Sequence, residues 1–349
     1  MKKLLISALL LAAAGSAQAH DFVVTLDGQK VYFNITDPRA CTAEVTYNGR
    51  IADHRPTDFE GELNIPAKVR HDNKVYTVTG IGAKAFSGAE RLTGITMPAG
   101  IKSIGDFAFE GCSSLSKIIF PGNVVKFGQG VFFKCDKIRD VSLGSDWREV
   151  DLKIFRWSDS LRVVTVPAKI GQIRNMKSLK HLESIHVDVN NDRFSTADGL
   201  LYNKSGEVLY GCPRGRSGAI RVAEGTRRIT AGALIDCRQL TLVDLPQTLE
   251  ALPFREFCRM NGLQTVVFRG SVPVMTASCD GRQVLLLQVA AADVKIVVNK
   301  AAVKAFKAAL AQQTGDYTEP GGTLPFHVER SQMPDVKNIV GVKSFKVYE

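Results

Sequence analysis

After residue 19 the 349-residue chain has no apolar run of the roughly 20 residues that a membrane-crossing helix needs. Its seven cysteines, Cys41, Cys112, Cys135, Cys212, Cys237, Cys258 and Cys279, contain no C-x-x-C pair. Their odd number and wide spacing argue against a zinc site and against a complete disulfide framework. The H-E-x-x-H, G-x-S-x-G and P-loop motifs are missing, and Gly80-Ile81-Gly82 lacks the third glycine of a dinucleotide fingerprint. His181 and His186 are five residues apart, off the spacing that sets two metal ligands on one helix face. The chain therefore reads as a non-enzyme without metal or cofactor, and no nucleic-acid partner is expected.

What remains is an ordinary soluble composition, 45% hydrophobic and 23% charged. Residues 1–19 stand apart. Lys2 and Lys3 precede the apolar run Leu4–Ala14, and Ala17-Gln18-Ala19 closes it with small residues. This is the pattern of a secretory signal cleaved before His20, and it is too short to span a membrane. No cysteine stands at the cleavage point to carry a lipid. The expected destination is the medium or the cell surface, with the periplasm as the other option. The net charge of +10 loses two units with Lys2 and Lys3, and the remaining excess favours an acidic partner or an anionic surface.

From Thr79 to Val166 one pattern is written four times at a period of 23 residues. Phe86, Phe109, Phe132 and Phe155 share a column; Leu92, Leu115, Ile138 and Leu161 share another; Ile95, Ile118, Val141 and Val164 a third. Such a period is the signature of a solenoid whose coils cannot bury their apolar face alone. The predicted strands are Leu92–Met97, Leu115–Phe120, Ile138–Leu143, Leu161–Val166 and Leu182–Val187, with Pro98, Pro121 and Pro167 stopping three of them. Cys112 and Cys135 lie one period apart, three residues after the column phenylalanines, and Cys237 holds the same offset after Leu234. They read as small buried residues in a turn. Coils stacked about 4.8 Å apart also leave a Cys112–Cys135 disulfide open.

The fold class is a β-rich repeat solenoid with short parallel strands. Residues 20–74 form an N-terminal β cap, with a hairpin about Asp27-Gly28. Residues 75–270 are the solenoid, interrupted at about 190–222 by a hairpin that flanks Lys204-Ser205-Gly206. Residues 271–349 are a C-terminal cap and tail, with a strand at Val294–Val298 and a helix at Ala301–Ala311.

Ser103-Ile104-Gly105-Asp106-Phe107-Ala108-Phe109-Glu110-Gly111-Cys112-Ser113-Ser114-Leu115 resembles the signature of BspA-like leucine-rich repeats, as does Ile81–Gly88. The interruption Phe194–Asn203 is similar to one that recurs within that family, and the closing strand and helix are like its usual end. The resemblance covers roughly residues 63–310 and departs at Trp147–Trp157 and Lys169–His181. It implies an exported or surface protein, and several members of the family are linked to adhesion to host proteins.

Alternation along the strands turns Gly94 and Thr96, Lys117 and Ile119, Asp140 and Ser142, Val163 and Thr165, Ser184 and His186, and Thr265 and Val267 outward. Thr96, Lys117, Ile119, Asp140, Ser142, Val163, Thr165 and His186 are the candidate partner-binding row. The row has no aromatic ring of the kind carbohydrate recognition uses, so a protein partner is expected, with a host extracellular protein implied by the resemblance. Trp147 shares the apolar column of Ile101, Val124 and Ile170, whereas Trp157 falls outside the core columns and is a candidate interface anchor. Arg214, Arg216, Arg221, Arg227 and Arg228 form the densest basic cluster, a candidate site for sulfated glycan or another polyanion. The alternative to a recognition module is a structural envelope protein that associates with itself.

Overall fold

Side chains that recur at one offset in every turn of a solenoid must meet their equivalents above and below. In the computed structural model the rings of Phe86, Phe109, Phe132 and Phe155 lie one on the next, with centroids 5.1, 5.2 and 5.2 Å apart and planes within 6–13° of parallel. Phe59 extends the column at 5.0 Å with a tilted ring. The spacing slightly exceeds the distance of about 4.8 Å between paired strands, so the rings stack with an offset, the arrangement their quadrupoles favour. All five are buried. Residues 20–48, 59–122, 124, 126–253, 256–257 and 259–270 are described in full, together with the backbone of Val274–Thr276, Val294–Asn299 and Val342–Tyr348. The expected secretory signal, the helix at 301–311, Cys258 and Cys279 lie outside the described residues.

Parallel strands, one or two per coil, carry this column. One ladder runs through Glu60–Asn64, Arg91–Thr96 and Lys117–Ile119, with Leu63, Ile95 and Ile118 in register. A second runs through Asp140–Ser142, Val163–Val166 and Ser184–Val187. A third begins at Gly218–Arg221, continues through Leu240–Leu245, Thr265–Phe268 and Val294–Asn299, and ends on Val342–Tyr348. The strands are shorter than the sequence predicts because their first positions are taken by turns: Leu115 N–H donates to Cys112 O and Ile138 N–H to Cys135 O. Even the bends are laddered, with Phe86 N–H donating to Ala108 O, Phe109 to Val131 O and Phe132 to Ile154 O. Backbone groups that no strand satisfies are thus bonded to the neighbouring coil, as buried polar groups require.

The first and second ladders do not join. Between them Trp147 fills the column that Ile101, Val124 and Ile170 hold elsewhere; it meets Phe120 at 5.1 Å and Phe127 at 4.8 Å, and its indole N–H donates to Pro121 O. The five described cysteines are free thiols. Cys112 donates to Phe86 O at 3.2 Å and Cys135 to Phe109 O at 3.0 Å, and the Ser158 hydroxyl makes the same bond to Phe132 O at 2.7 Å. Burial first, then the adjacent Cys135 thiol, hold the Cys112 thiol well above the usual range. The pair therefore acts as a column of hydrogen-bond donors.

At the N-terminus Phe22–Leu26, Gln29–Asp37 and Thr42–Thr46 pair antiparallel, and the last then pairs parallel with Lys74–Ile81. A strand the sequence reading did not name, Lys68–His71, forms a hairpin with Lys74–Ile81. The insert contributes Phe194–Ala197, Leu200–Asn203 and Val208–Gly211, joined antiparallel. Its middle strand is a partition: Leu201 packs into the N-terminal core, while Leu200 and Tyr202 pack into the C-terminal one. Asn191, fully buried, ties the insert to the preceding coil. Its amide donates to Pro167 O and Ile170 O, and its carbonyl accepts from the N–H groups of Arg193 and Phe194.

Phe109→Ala is expected to cost about 3–5 kcal/mol, because both neighbouring rings lose a partner. A urea melt that overlays wild type would remove the stacked column as the basis of stability. Asn191→Leu removes four side-chain hydrogen bonds to the backbone and is expected to cost about 2–4 kcal/mol in the same assay.

Candidate functional site

Alternation along a half-buried strand decides which side chains reach solvent, and the expected row divides into two groups. Thr96, Lys117 and Ile119 lie on the first ladder, where Thr96 opposes Ile119 and Ile119 is 48% exposed. Asp140, Ser142, Val163, Thr165 and His186 lie on the second, with Asp140 beside Val163 and Ser142 beside Thr165, which is beside His186. Asp140, Ser142 and His186 are exposed, and Val163 and Thr165 half-buried. Ser184 Oγ meets His186 Nε2 at 3.2 Å.

Two outward positions are corrected. Gly94 is buried because Lys117 Nζ reaches both carboxylate oxygens of Glu62 at 2.9 Å across it; a Cβ there would stand 3.0 Å from Glu62 Cγ. Glu62 and Lys117 are on strands either side of Gly94, so only the missing side chain lets them meet. Val267 is 4% exposed, although it alternates outward.

The five arginines occupy separate places, and four face carboxylates. Arg214 meets Asp236 at 3.2 Å, Arg216 meets Asp198 at 2.6 Å, Arg221 meets Asp244 at 3.6 Å, and Arg227 meets Glu250 at 3.0 Å. Arg228 is exposed. Asp236 also faces Arg238 at 3.5 Å and Arg259 at 3.3 Å. Paired in this way, these arginines link neighbouring coils.

Trp157 is on neither ladder. It projects from the turn edge of its coil, 47% exposed, with its ring edge-on to Phe133 at 6.4 Å. Phe133 is in turn edge-on to Phe107 at 6.3 Å. The guanidinium of Arg156 lies 5.1 Å from the Trp157 ring centroid and the ammonium of Lys180 5.4 Å from it; Lys134 sits 5.4 Å from that of Phe133. Trp157 has φ +70° and Phe107 φ +54°, in the left-handed region that bulky side chains rarely enter. The Trp157 column holds Gly88, Gly111 and Lys134 in earlier coils, at φ +77°, +71° and +57°. Gly130, at φ +55°, makes room for the Phe107 ring, whose nearest carbon would be 2.6 Å from an added Cβ.

Two buried groups carry no exposed chemistry. Glu256 accepts from the N–H groups of Gly232 and Leu234, and burial raises its carboxyl above the ordinary value. Tyr202 accepts from Ala223 N–H, and burial pushes its phenol up to about 12. Both anchor turns. Among the described residues no three His, Cys, Asp or Glu side chains are grouped so as to hold a metal ion, and no helix is long and apolar enough to cross a membrane.

Residues 72–187 match the family model described as a BspA-type leucine-rich repeat region, in six copies. Similar solved structures include a leucine-rich cell surface protein from Faecalibacterium prausnitzii, 19% identical, covering 80% of this chain and 89% of that one, with a TM-score of 0.41. The pneumococcal vaccine antigen PcpA is 18% identical over 83% of this chain and 96% of that chain, at 0.44. A leucine-rich repeat protein from Eubacterium ventriosum is 18% identical over 81% and 79%, at 0.46. No curated protein matches the chain.

A glycine at position 157 relieves the left-handed strain, worth about 1–2 kcal/mol, while adding roughly 0.5–1 kcal/mol of chain entropy to the unfolded state. Trp157→Gly is therefore expected to stay within about 1 kcal/mol of wild type, whereas Trp147→Ala loses about 3–5 kcal/mol. Chemical denaturation of the two variants side by side checks the contrast; equal losses would mean that Trp157 is a packing residue.

Proposed function

Because residues 72–187 form a BspA-type leucine-rich repeat region, we propose that the chain is an exported, non-catalytic recognition module that binds a protein partner through its strand face, as a host-directed adhesin does. The observation that carries this reading is the strict parallel register of Asp140–Ser142, Val163–Val166 and Ser184–Val187. It presents Asp140, Ser142, Val163, Thr165 and His186 at fixed spacing on a surface held from beneath by the stacked core. A partner meets this surface with little ordering cost, since the residues are already in place. Ile119 offers an apolar contact beside the Lys117–Glu62 pair. Export rests on the secretory pattern of residues 1–19.

A second reading, a self-associating envelope protein, draws on the ladder that ends at Val342–Tyr348, a strand paired on one side only among the described residues. Open edges of this kind invite pairing with another chain.

A variant with Lys117, Ile119, Asp140 and Thr165 all changed to alanine is expected to lose at least about tenfold in affinity for a partner captured from host matrix extract and then purified, since such centres carry most of an interface's binding energy. Equal affinity of variant and wild type removes the strand face from the account. Light scattering that shows a concentration-dependent oligomer with no partner present favours the second reading.

A further inference from the structure

The turn edge that carries Trp157 is hollowed and carries cations that form no ion pair among the described residues. A groove of about 690 Å³ lies against Phe107, Phe133, Lys153, Arg156 and Trp157. A hollow of about 250 Å³ shares Lys153, Arg156 and Trp157 with it and adds Lys177, Lys180 and Arg214. A cleft of about 980 Å³, between the coil at Gly171–Ser178 and the inserted hairpin, shares Lys177 and Ser178 and reaches Arg193, Lys204 and Tyr210. The three adjoin one another at these shared residues. They cross about four coil spacings, or roughly 20 Å, which suits an elongated ligand.

The charge along this strip is one-sided. Among the described residues Lys153, Arg156, Lys180 and Arg193 form no ion pair, unlike Arg214, Arg216, Arg221 and Arg227. The carboxylates along the strip are Asp151, Asp159 and Asp192. Asp151 accepts from Lys153 N–H and the Asn175 amide, and Asp159 faces His181 at 3.8 Å. Arg214 Nε is buried without a partner, although its other nitrogens bond Lys177 O and Asp236.

We infer that this strip is a binding groove for a linear acidic polysaccharide, its carboxylate or sulfate groups held by Lys153, Arg156 and Lys180 and its sugar rings lying along Phe107, Phe133 and Trp157. Two other linear anions fit less well. Single-stranded nucleic acid binds by laying bases on open ring faces, and here cations already lie over the rings of Phe133 and Trp157. A peptide that adds as a strand needs free backbone N–H groups, but that of Phe107 is bonded to Gln129 O of the next coil. A charged saccharide needs only fixed cations and apolar rims. Resting on the Trp157 ring, Arg156 and Lys180 are placed before the ligand arrives.

The chain has two tryptophans, and Trp147 is 2% exposed against 47% for Trp157, so the red side of its emission reports on the groove. The full chain from His20 is titrated with a heparin-derived oligosaccharide, which is sulfated, and with a hyaluronan oligosaccharide, which is carboxylated. At least one is expected to shift Trp157 emission, with binding that weakens as salt rises, while neutral dextran has no effect. The triple variant Lys153→Ala, Arg156→Ala, Lys180→Ala should bind at least about tenfold more weakly by calorimetry, having lost three exposed charge contacts. Trp157→Gly should keep the wild-type circular dichroism and lose affinity. The quadruple strand-face variant should bind the saccharide as wild type does, which separates this inference from the protein-partner reading. Wild-type affinity in the triple variant overturns the proposal, and so does tighter binding of polyglutamate or single-stranded DNA than of either oligosaccharide.

Discussion

Contact between equivalent side chains in successive coils is the constraint on which the rest of the molecule depends. A coil of this kind has too little interior to exclude water from its own phenylalanine; it becomes a structure only when the next coil covers that ring. The rings of Phe86 through Phe155 stay within 13° of parallel because each is held at the same point of its coil by the same bonds. Those bonds include the turn N–H groups, which donate to the following coil, and the thiol or hydroxyl of Cys112, Cys135 and Ser158, each donating to the phenylalanine carbonyl of the coil before. Cysteine and serine are exchangeable there because the column asks for a small donor. Reactive sulfur has no part in it, and burial keeps the Cys112 thiol protonated.

A shared interior must also be interrupted and ended without leaving polar groups dry. Asn191 closes one coil and opens the insert with four hydrogen bonds from one side chain, two given and two accepted. The strand Leu200–Asn203 then separates two cores by simple alternation, Leu201 facing one and Leu200 and Tyr202 the other. Stability is therefore expected to be regional, with each core melting as a unit coupled through that strand.

Much of this was legible because it is local or periodic. The phenylalanine column, the burial of Trp147, the exposure of Trp157 and the hairpin about Lys204-Ser205-Gly206 all follow from offsets within 23 residues. What escaped the sequence depends on partners that no period announces. Gly94 alternates outward yet is roofed by Glu62 and Lys117, which lie 55 residues apart. The arginines that read as a basic cluster find Asp198, Asp236, Asp244 and Glu250 on neighbouring strands and turns, so nearness in sequence misstated their free charge. Glu256 is a buried turn anchor, which nothing in the repeat pattern announces. The hollows along the turn edge were invisible for the same reason, since each is built by residues from two or more coils.

The turn edge is where the chain departs furthest from its own rules. Some left-handed corners are glycine, as at Gly88 and Gly111, while Lys84 and Lys134 take the same conformation in the columns of Phe107 and Trp157. Trp157 and Phe107 take it as well while leaving the core column untouched, so their rings do nothing for the stacking that holds the molecule together. Among the described residues the cations from successive coils that converge on these rings form no ion pair, whereas the arginines further along are paired across the coils. A solenoid buries its repeat inside and varies its corners outside, and in this chain the variation gathers aromatic rims and fixed positive charge along one edge.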